Sequence, residues 1–422
     1  MYDSHYLYKI EYKAAKTQQY KTYSYIQMVN LSVSSSFTLT RNLYVRDEVE
    51  ASLLTALLKR HDKHESYFWA YELHYSGFDL FAVLWRIYYD VYFELNPHLE
   101  GYLSKKQNTW ETKKDAGVFA ACAKNMSRSK PTSTVFLLRQ HAASVPDARA
   151  RGRCYPGRAP SWCAKHPKKY RSWLRAISKK DYPNIACHTY YLAREHDGAP
   201  DEMFGVLLAY FDGMFEVVPG TFDEARKKRA YSDDAHYLLS IIVSLLADRT
   251  KMPEKESATT MTIAASEEEL EEVRALESSG AEGGCPAHRM LGVRRLYGIA
   301  PTIGGFSLAR YCEEVGALGE LYNVNSVWER FAYKTPYWDY RFKIYGGKYD
   351  AESKRVCFPT DDAREDFYDR YGLEPDEQSC AVRDRSLGPI RTCFWKSWYD
   401  SVFGGYDVPR VVDFDETFHF TL

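Results

Sequence analysis

The chain has 422 residues and carries 56 lysines and arginines against 57 aspartates and glutamates, a formal net charge of −1. Hydrophobic residues make up 45% and charged residues 27%, a globular balance that excludes a polycation, an acidic tail and a low-hydrophobicity chain, so electrostatic function must come from local asymmetry. Nine cysteines in no framework spacing read as free thiols of a reducing compartment, and the most apolar run, YLLSIIVSLLA at 237–247, falls short of the roughly 18 residues of a membrane helix.

Residues 1–45 are polar, Tyr- and Lys-rich and without helical period. They read as a disordered N-terminal arm, or in part as an extension upstream of Met28. A helical layer is expected over 46–126. In RDEVEASLLTALLKRHDK, Asp47 is placed to cap a helix with Glu50 three residues on, and Val49, Leu53, Leu54, Leu57 and Leu58 form its apolar stripe. ESYFWAYELHYSGF (65–78) predicts a second helix with Phe68, Tyr71, Glu72 and Tyr75 on one face and Gly77 at its left-handed end. Asp79 then caps a third, with Leu80, Val83, Leu84, Ile87, Tyr88 and Val91 inward, which Asn96-Pro97 stops. WETKKDAGVFAACAKNM (110–126) reads as a helix burying Val118, Phe119 and Cys122.

Residues 127–165, rich in Arg, Pro, Gly and Ser, read as a basic loop or insertion in which only TVFLLRQ is structured. A central helical array follows over 166–249, with Pro183 in a first helical turn. The stretch 250–286 is acidic and rich in small residues. It reads as a flexible linker holding one short solvated helix, capped by Ser266 with Glu269 three residues on. Residues 287–422 are dense in Tyr, Trp, Phe and Gly and predict short helices with irregular, aromatic-packed connections. The fold class expected is mainly α, a multi-helix antiparallel array with an aromatic-rich, irregular C-terminal region.

The chemistry is harder to read. The aromatics of 65–78 stand beside Glu65, Glu72 and Asp79, which repel phosphate, so they predict core packing rather than base stacking. Glu72 reads as one half of a buried pair with a cation such as Arg86. The catalytic alternative is a cluster of Glu72, His74 and His64. Cys163 with His166, flanked by Cys154 and by Cys187-His188, and Cys285 with His288 are single pairs too far apart for a zinc site of four ligands, so no metal and no cofactor is expected. The paired glycines of TIGGFS, YGGK and FGGY match no phosphate-loop form. No catalytic motif is present, and the chain does not read as an enzyme.

One feature rises above this background. From Lys124 to Lys180 there are fifteen Lys or Arg and one acid, Asp147. Tyr155, Trp162, Tyr170 and Trp173 are interleaved. Arg149, Arg151, Arg153, Arg158, Lys165, Lys168, Lys169, Arg171, Arg175, Lys179 and Lys180 are the candidate contacts to nucleic acid or to an acidic partner.

SLLTALLKRHDKHESYFWAYELHYSGF, IYYDVYFELNP and FYDRYGLEPDEQS resemble an uncharacterised protein family of nucleocytoplasmic large DNA viruses, of the phycodnavirus and mimivirus type. The resemblance covers residues 45–105 well and 160–400 loosely. No activity is attached to these motifs, so it carries over no functional residue. It implies a viral protein of the infected host's cytoplasm or of the virion. The expected function is that of a non-enzymatic interaction or scaffold protein with protein partners. The alternative is a nucleic-acid-binding accessory factor for viral transcription or genome packaging that works through residues 124–180.

Overall fold

The structure, a computed structural model, describes residues 38–42, 44, 46–59, 63–144, 167–195, 199–212, 234–247, 263–278, 302–303, 306–307, 329, 332–353, 355–371, 399 and 402–403. These form thirteen α-helices and two short hairpins. The chain is a mainly helical array, as its periodicity predicts.

The first group is α1 (Arg46–Lys59), α2 (Lys63–Tyr75), α3 (Leu80–Val91), α4 (Leu99–Lys113), α5 (Gly117–Arg128) and α6 (Thr134–Ser144). All of the predicted α1 stripe is buried, but so are Glu50, Ser52 and Thr55 on its other sides. The same holds for α2, where Tyr67, Ala70, Tyr71, Glu72 and Leu73 are all inaccessible. A helix enclosed on every side belongs to the centre of a larger core. Accordingly, α2 packs on α1, α5 and α3 together. Tyr71 is fully buried, and Phe68 and Tyr75 are half-buried against the same core. The rings of 65–78 therefore hold the fold together.

The signals at the helix ends fare unevenly. Gly77, at φ +87°, ends α2. The Gly77 N–H donates to His74 O and the Phe78 N–H to Leu73 O, the paired bonds of a Schellman ending. Asp79 caps α3 by accepting from the Ala82 N–H at 3.1 Å. α1 begins at Arg46, one residue ahead of the predicted cap position Asp47. Glu50 instead accepts from Arg46 and from Arg86 of α3. The expected 110–126 helix is two helices, broken where Lys114 takes a left-handed conformation (φ 53°) and Asp115 accepts from the Gly117 N–H. α3 ends at Val91, ahead of Asn96-Pro97, and the Val91 carbonyl is taken by the Thr132 N–H.

The second group is α7 (Arg171–Ser178, entered through a 3-10 turn Lys168–Tyr170), α8 (Tyr182–Glu195), α9 (Ala199–Asp212) and α10 (Asp234–Leu246). α8 packs on α6, α7, α9 and α10, and α10 packs on α3 and α6. The two groups thus share one hydrophobic cluster. The expected loop 127–165 loses its N-terminal part to helix, since residues 127–128 close α5 and 134–144 are α6. Residues 145–166 lie outside the described part.

Two further segments attach to this body. α11 (Glu267–Ser278) lies against α2 and α5. In the C-terminal region, β1 (Thr302–Ile303) pairs with β2 (Phe306–Ser307), and β3 (Lys348–Asp350) pairs with β4 (Arg355–Cys357), both antiparallel. α12 (Pro336–Ile344) and α13 (Asp361–Tyr371) flank the second hairpin. Trp338, Phe342, Phe358, Phe367 and Tyr371 form an aromatic cluster of their own. The Trp338 indole N–H donates to Thr40 O at 3.1 Å, and the Tyr337 N–H donates to Ser76 O. These bonds tie the region to the α2 end.

Candidate functional site

The cationic segment divides in two when its residues are placed. Two of its members are spent inside the fold. Lys124 meets Glu269 at 2.8 Å and Arg139 meets Asp90 at 3.1 Å, with both acids buried. Arg149, Arg151, Arg153, Arg158 and Lys165, with Tyr155 and Trp162, lie outside the described residues. Lys168, Lys169, Arg171, Arg175, Lys179 and Lys180 are brought together on and around α7.

α7 can present these side chains because its sequence has two faces. Trp173, Leu174, Ala176 and Ile177, with Tyr170 before them, are buried. The Trp173 indole N–H donates to the Thr189 hydroxyl of α8 at 2.9 Å. Lys168, Lys169, Lys179 and Lys180 are exposed, and Arg171 and Arg175 are half-exposed. Lys169 bonds Glu202 of α9 at 2.5 Å. α7 ends on Lys180 at φ 53°. There the Lys180 N–H donates to Ile177 O and the Asp181 N–H to Ala176 O, so a lysine stands where a helix ending favours glycine. Tyr170 and Trp173 belong to the core and offer no ring to a base. The edge can therefore attract anions, but among the described residues it has no stacking platform.

The catalytic alternative does not assemble. The Glu72 carboxylate accepts from Arg41 Nε (3.2 Å), from the Asn42 N–H (3.0 Å) and from Asn42 Nδ2 (2.6 Å). A buried ion pair was the expected role, but its cation is Arg41 rather than Arg86. His74 packs among Tyr75, Trp110 and Phe119. Burial, with Arg41 nearby, lowers its pKa to about 4, so it is neutral at pH 7. His64 lies at the surface, 2.6 Å from Glu272 of α11. The three candidates thus serve three separate contacts.

A polar centre that sequence reading missed lies between α3, α6 and α10. Asp90 Oδ1 is 3.0 Å from His236 Nε2, and Arg139 Nη1 is 2.9 Å from His236 Nδ1. The same Nη1 lies 3.2 Å from His236 Nε2 and 3.1 Å from Asp90 Oδ1, so carboxylate, imidazole and guanidinium meet at one buried point. Burial pushes the Asp90 carboxyl up, but Arg139 and His236 outweigh it and hold it below the usual carboxylate range. Glu94, one turn along the chain, is faced by the hydroxyls of Thr132 and Thr134, and burial raises its pKa to about 7. Neither Glu94 oxygen has a well-formed hydrogen bond. The available signal was a charged residue inside an apolar period, as at Asp90 in IYYDVYF and Arg139 in TVFLLRQ.

Among the described residues no group of three or more His, Cys, Asp or Glu is set to hold a metal ion, and no helix is long and apolar enough to cross a membrane. Cys187 and His188 are buried on α8, while Cys154, Cys163, His166, Cys285 and His288 lie outside the described part. No protein-family model, no curated protein and no solved structure matches the chain.

Proposed function

We propose that the chain is a non-enzymatic interaction or scaffold protein, acting in the virion or in a host-cytoplasmic assembly of a large DNA virus, as the resemblance of its motifs implies. Its working surface is the cationic edge at α7. The observation that carries this reading is that Lys168, Arg171, Arg175 and Lys179 recur at three- and four-residue spacing along one side of a segment whose other side is buried. A cationic edge built on a packed helix loses less conformational freedom on binding than a loose basic tail does.

The second reading is a nucleic-acid-binding accessory factor using the same edge together with the rest of 124–180. Its support is the excess of fourteen positive charges over that segment. With Tyr170 and Trp173 in the core, contact through the α7 edge itself is to phosphates and independent of sequence.

The test is the quadruple charge reversal Lys168→Glu, Arg171→Glu, Arg175→Glu and Lys179→Glu, compared with the parent in two assays. Filter binding to mixed DNA and RNA between 50 and 200 mM salt tests the second reading, for which four phosphate contacts predict a loss of about 10²-fold across that range. Co-purification after nuclease treatment tests the first, with nuclease-resistant protein partners expected to disappear in the reversed variant. Partners unchanged by the reversal, together with no salt-dependent binding, would remove both readings.

A further inference from the structure

α11 was expected to be a solvated helix in a linker, yet it is seated in a groove. Ser266 and Glu269 cap its start reciprocally, at 2.8 and 3.3 Å. The same Glu269 carboxylate, 3% exposed, receives Lys124 of α5. Lys124 also reaches Ala264 O, and Asn125 brackets Ile263 through both its N–H and its carbonyl. At the other end the Arg41 guanidinium donates to Leu276 O (2.6 Å) and Glu277 O (3.2 Å), neutralising the negative end of the helix dipole. Val273 is buried between these clamps, Leu270 and Leu276 are half-buried, and the Tyr75 hydroxyl donates to Val273 O. Leu270 fits because residue 117 is glycine: a Cβ there would stand 2.7 Å from the Leu270 methyl.

We propose that this groove of α2 and α5 is a docking site for acidic amphipathic helices. α11 fills it in the chain as it stands, and the acidic helix of a partner protein takes its place. The seated helix displays the chemistry the site accepts. It has a carboxylate at the third helical position for Lys124, apolar residues one, four and seven places further on, and C-terminal carbonyls that accept from Arg41. The two cations also fix direction, since a reversed helix would set its positive end against Arg41. One fully buried valine and two half-buried leucines give α11 little apolar burial compared with the enclosed helices α1 to α3, and such elements open at a fraction of the global unfolding free energy. The sequence on either side, KESATTMT before and SGAEGG after, has a linker's composition. This recognition mode is a helix in a groove. It involves none of the α7 cations, so it stands or falls apart from the function proposed above.

The experiment uses the full chain with Val273→Asp, which evicts α11 and leaves the groove residues intact, and a labelled peptide of residues 263–279 read by fluorescence anisotropy. The V273D chain should bind the peptide at least about tenfold tighter than the parent, whose groove is filled. Adding Lys124→Glu should weaken that binding by about tenfold or more, the worth of one charge-assisted contact. A scrambled peptide of the same composition should not bind, which separates the groove from the basic edge. In the parent, the amides of α11 should exchange with solvent at least about a hundredfold faster than those of α10. A folded V273D chain that ignores the peptide, or binds the scrambled one equally, overturns the proposal. So does a V273D chain that cannot fold, or α11 exchange as slow as that of α10, because either would make α11 a fixed part of the core.

Discussion

Glu94 gives the sharpest test of the packing. It is 4% exposed and is faced by hydroxyls rather than by a cation. Burial raises its pKa from 4.5 to about 7, with Thr132 and Thr134 opposing the rise. The folded-state pKa lies above the unfolded one, so its contribution is most favourable below pH 4.5, where both states hold the proton. It is lost as pH climbs to 7, because the folded chain must then ionise a carboxyl that water does not reach. At 1.36 kcal/mol per pH unit, that rise corresponds to a loss of about 3 kcal/mol, to order of magnitude, by pH 8. Glu94→Gln keeps the shape and removes the titration. Urea unfolding of parent and variant at half-unit steps from pH 4.5 to 8 isolates this group, since Asp90 and every other titration cancel in the difference. The variant should match the parent near pH 4.5 and gain steadily, becoming more stable by about 2–3 kcal/mol at pH 8. A difference that stays flat across the range, or that favours the parent more as pH rises, would refute the reasoning.

Asp90→Asn leaves the Arg139 guanidinium buried without its carboxylate and should cost about 3–5 kcal/mol in urea unfolding at pH 7; a cost below about 1 kcal/mol would show that the centre is hydrated. Lys180→Gly relieves a left-handed lysine and should stabilise the chain by about 1 kcal/mol. In polyanion binding the same change should lower the salt slope by about 1 if Lys180 is part of the edge. Gly77→Ala meets both a left-handed backbone and a Cβ only 2.6 Å from Pro336. It should cost about 1–2 kcal/mol for the backbone alone, and protease cleavage between α2 and α12 should speed up as the C-terminal region lifts away.

What could be read in advance was what neighbours in sequence decide. The stripes of α1 and α3, the glycine ending of α2, the Asp79 cap and the Ser266–Glu269 box all lie within a few residues of their partners, so spacing carries them. What could not be read was set by chain distance. Arg41 reaches Glu72 across 31 residues, from a segment with no period, and Lys124 reaches Glu269 across 145. In the sequence Lys124 and Arg139 look like part of a solvated basic run, because nothing local distinguishes a lysine destined for a buried carboxylate. α11 misled for a related reason. Its acid content suggests solvent, while the inward set Glu269, Leu270, Val273 and Leu276 was present at helical spacing and only needed weighing. The break at Lys114 had no signal, since a lysine in the left-handed region looks like any other.

The buried pairs explain why generic stripes settle into one arrangement. Leucine, tyrosine and alanine faces of similar width can pack in several registers with similar burial. Each ion pair joins elements distant along the chain: Arg41 with Glu72, Arg86 with Glu50, Lys124 with Glu269, Arg139 with Asp90. A one-turn slip of α1, α5 or α6 would leave a charge dry and unpaired at several kcal/mol, more than the apolar contacts of one turn return. Such pairs add little net stability when satisfied, and their effect lies in the penalty they place on alternatives. The same sorting determines what the surface can offer. With Lys124 and Arg139 withdrawn to the interior, the remaining described cations of the basic segment gather mainly where α7 faces solvent. A near-neutral chain thereby acquires a strongly cationic edge without a net positive charge.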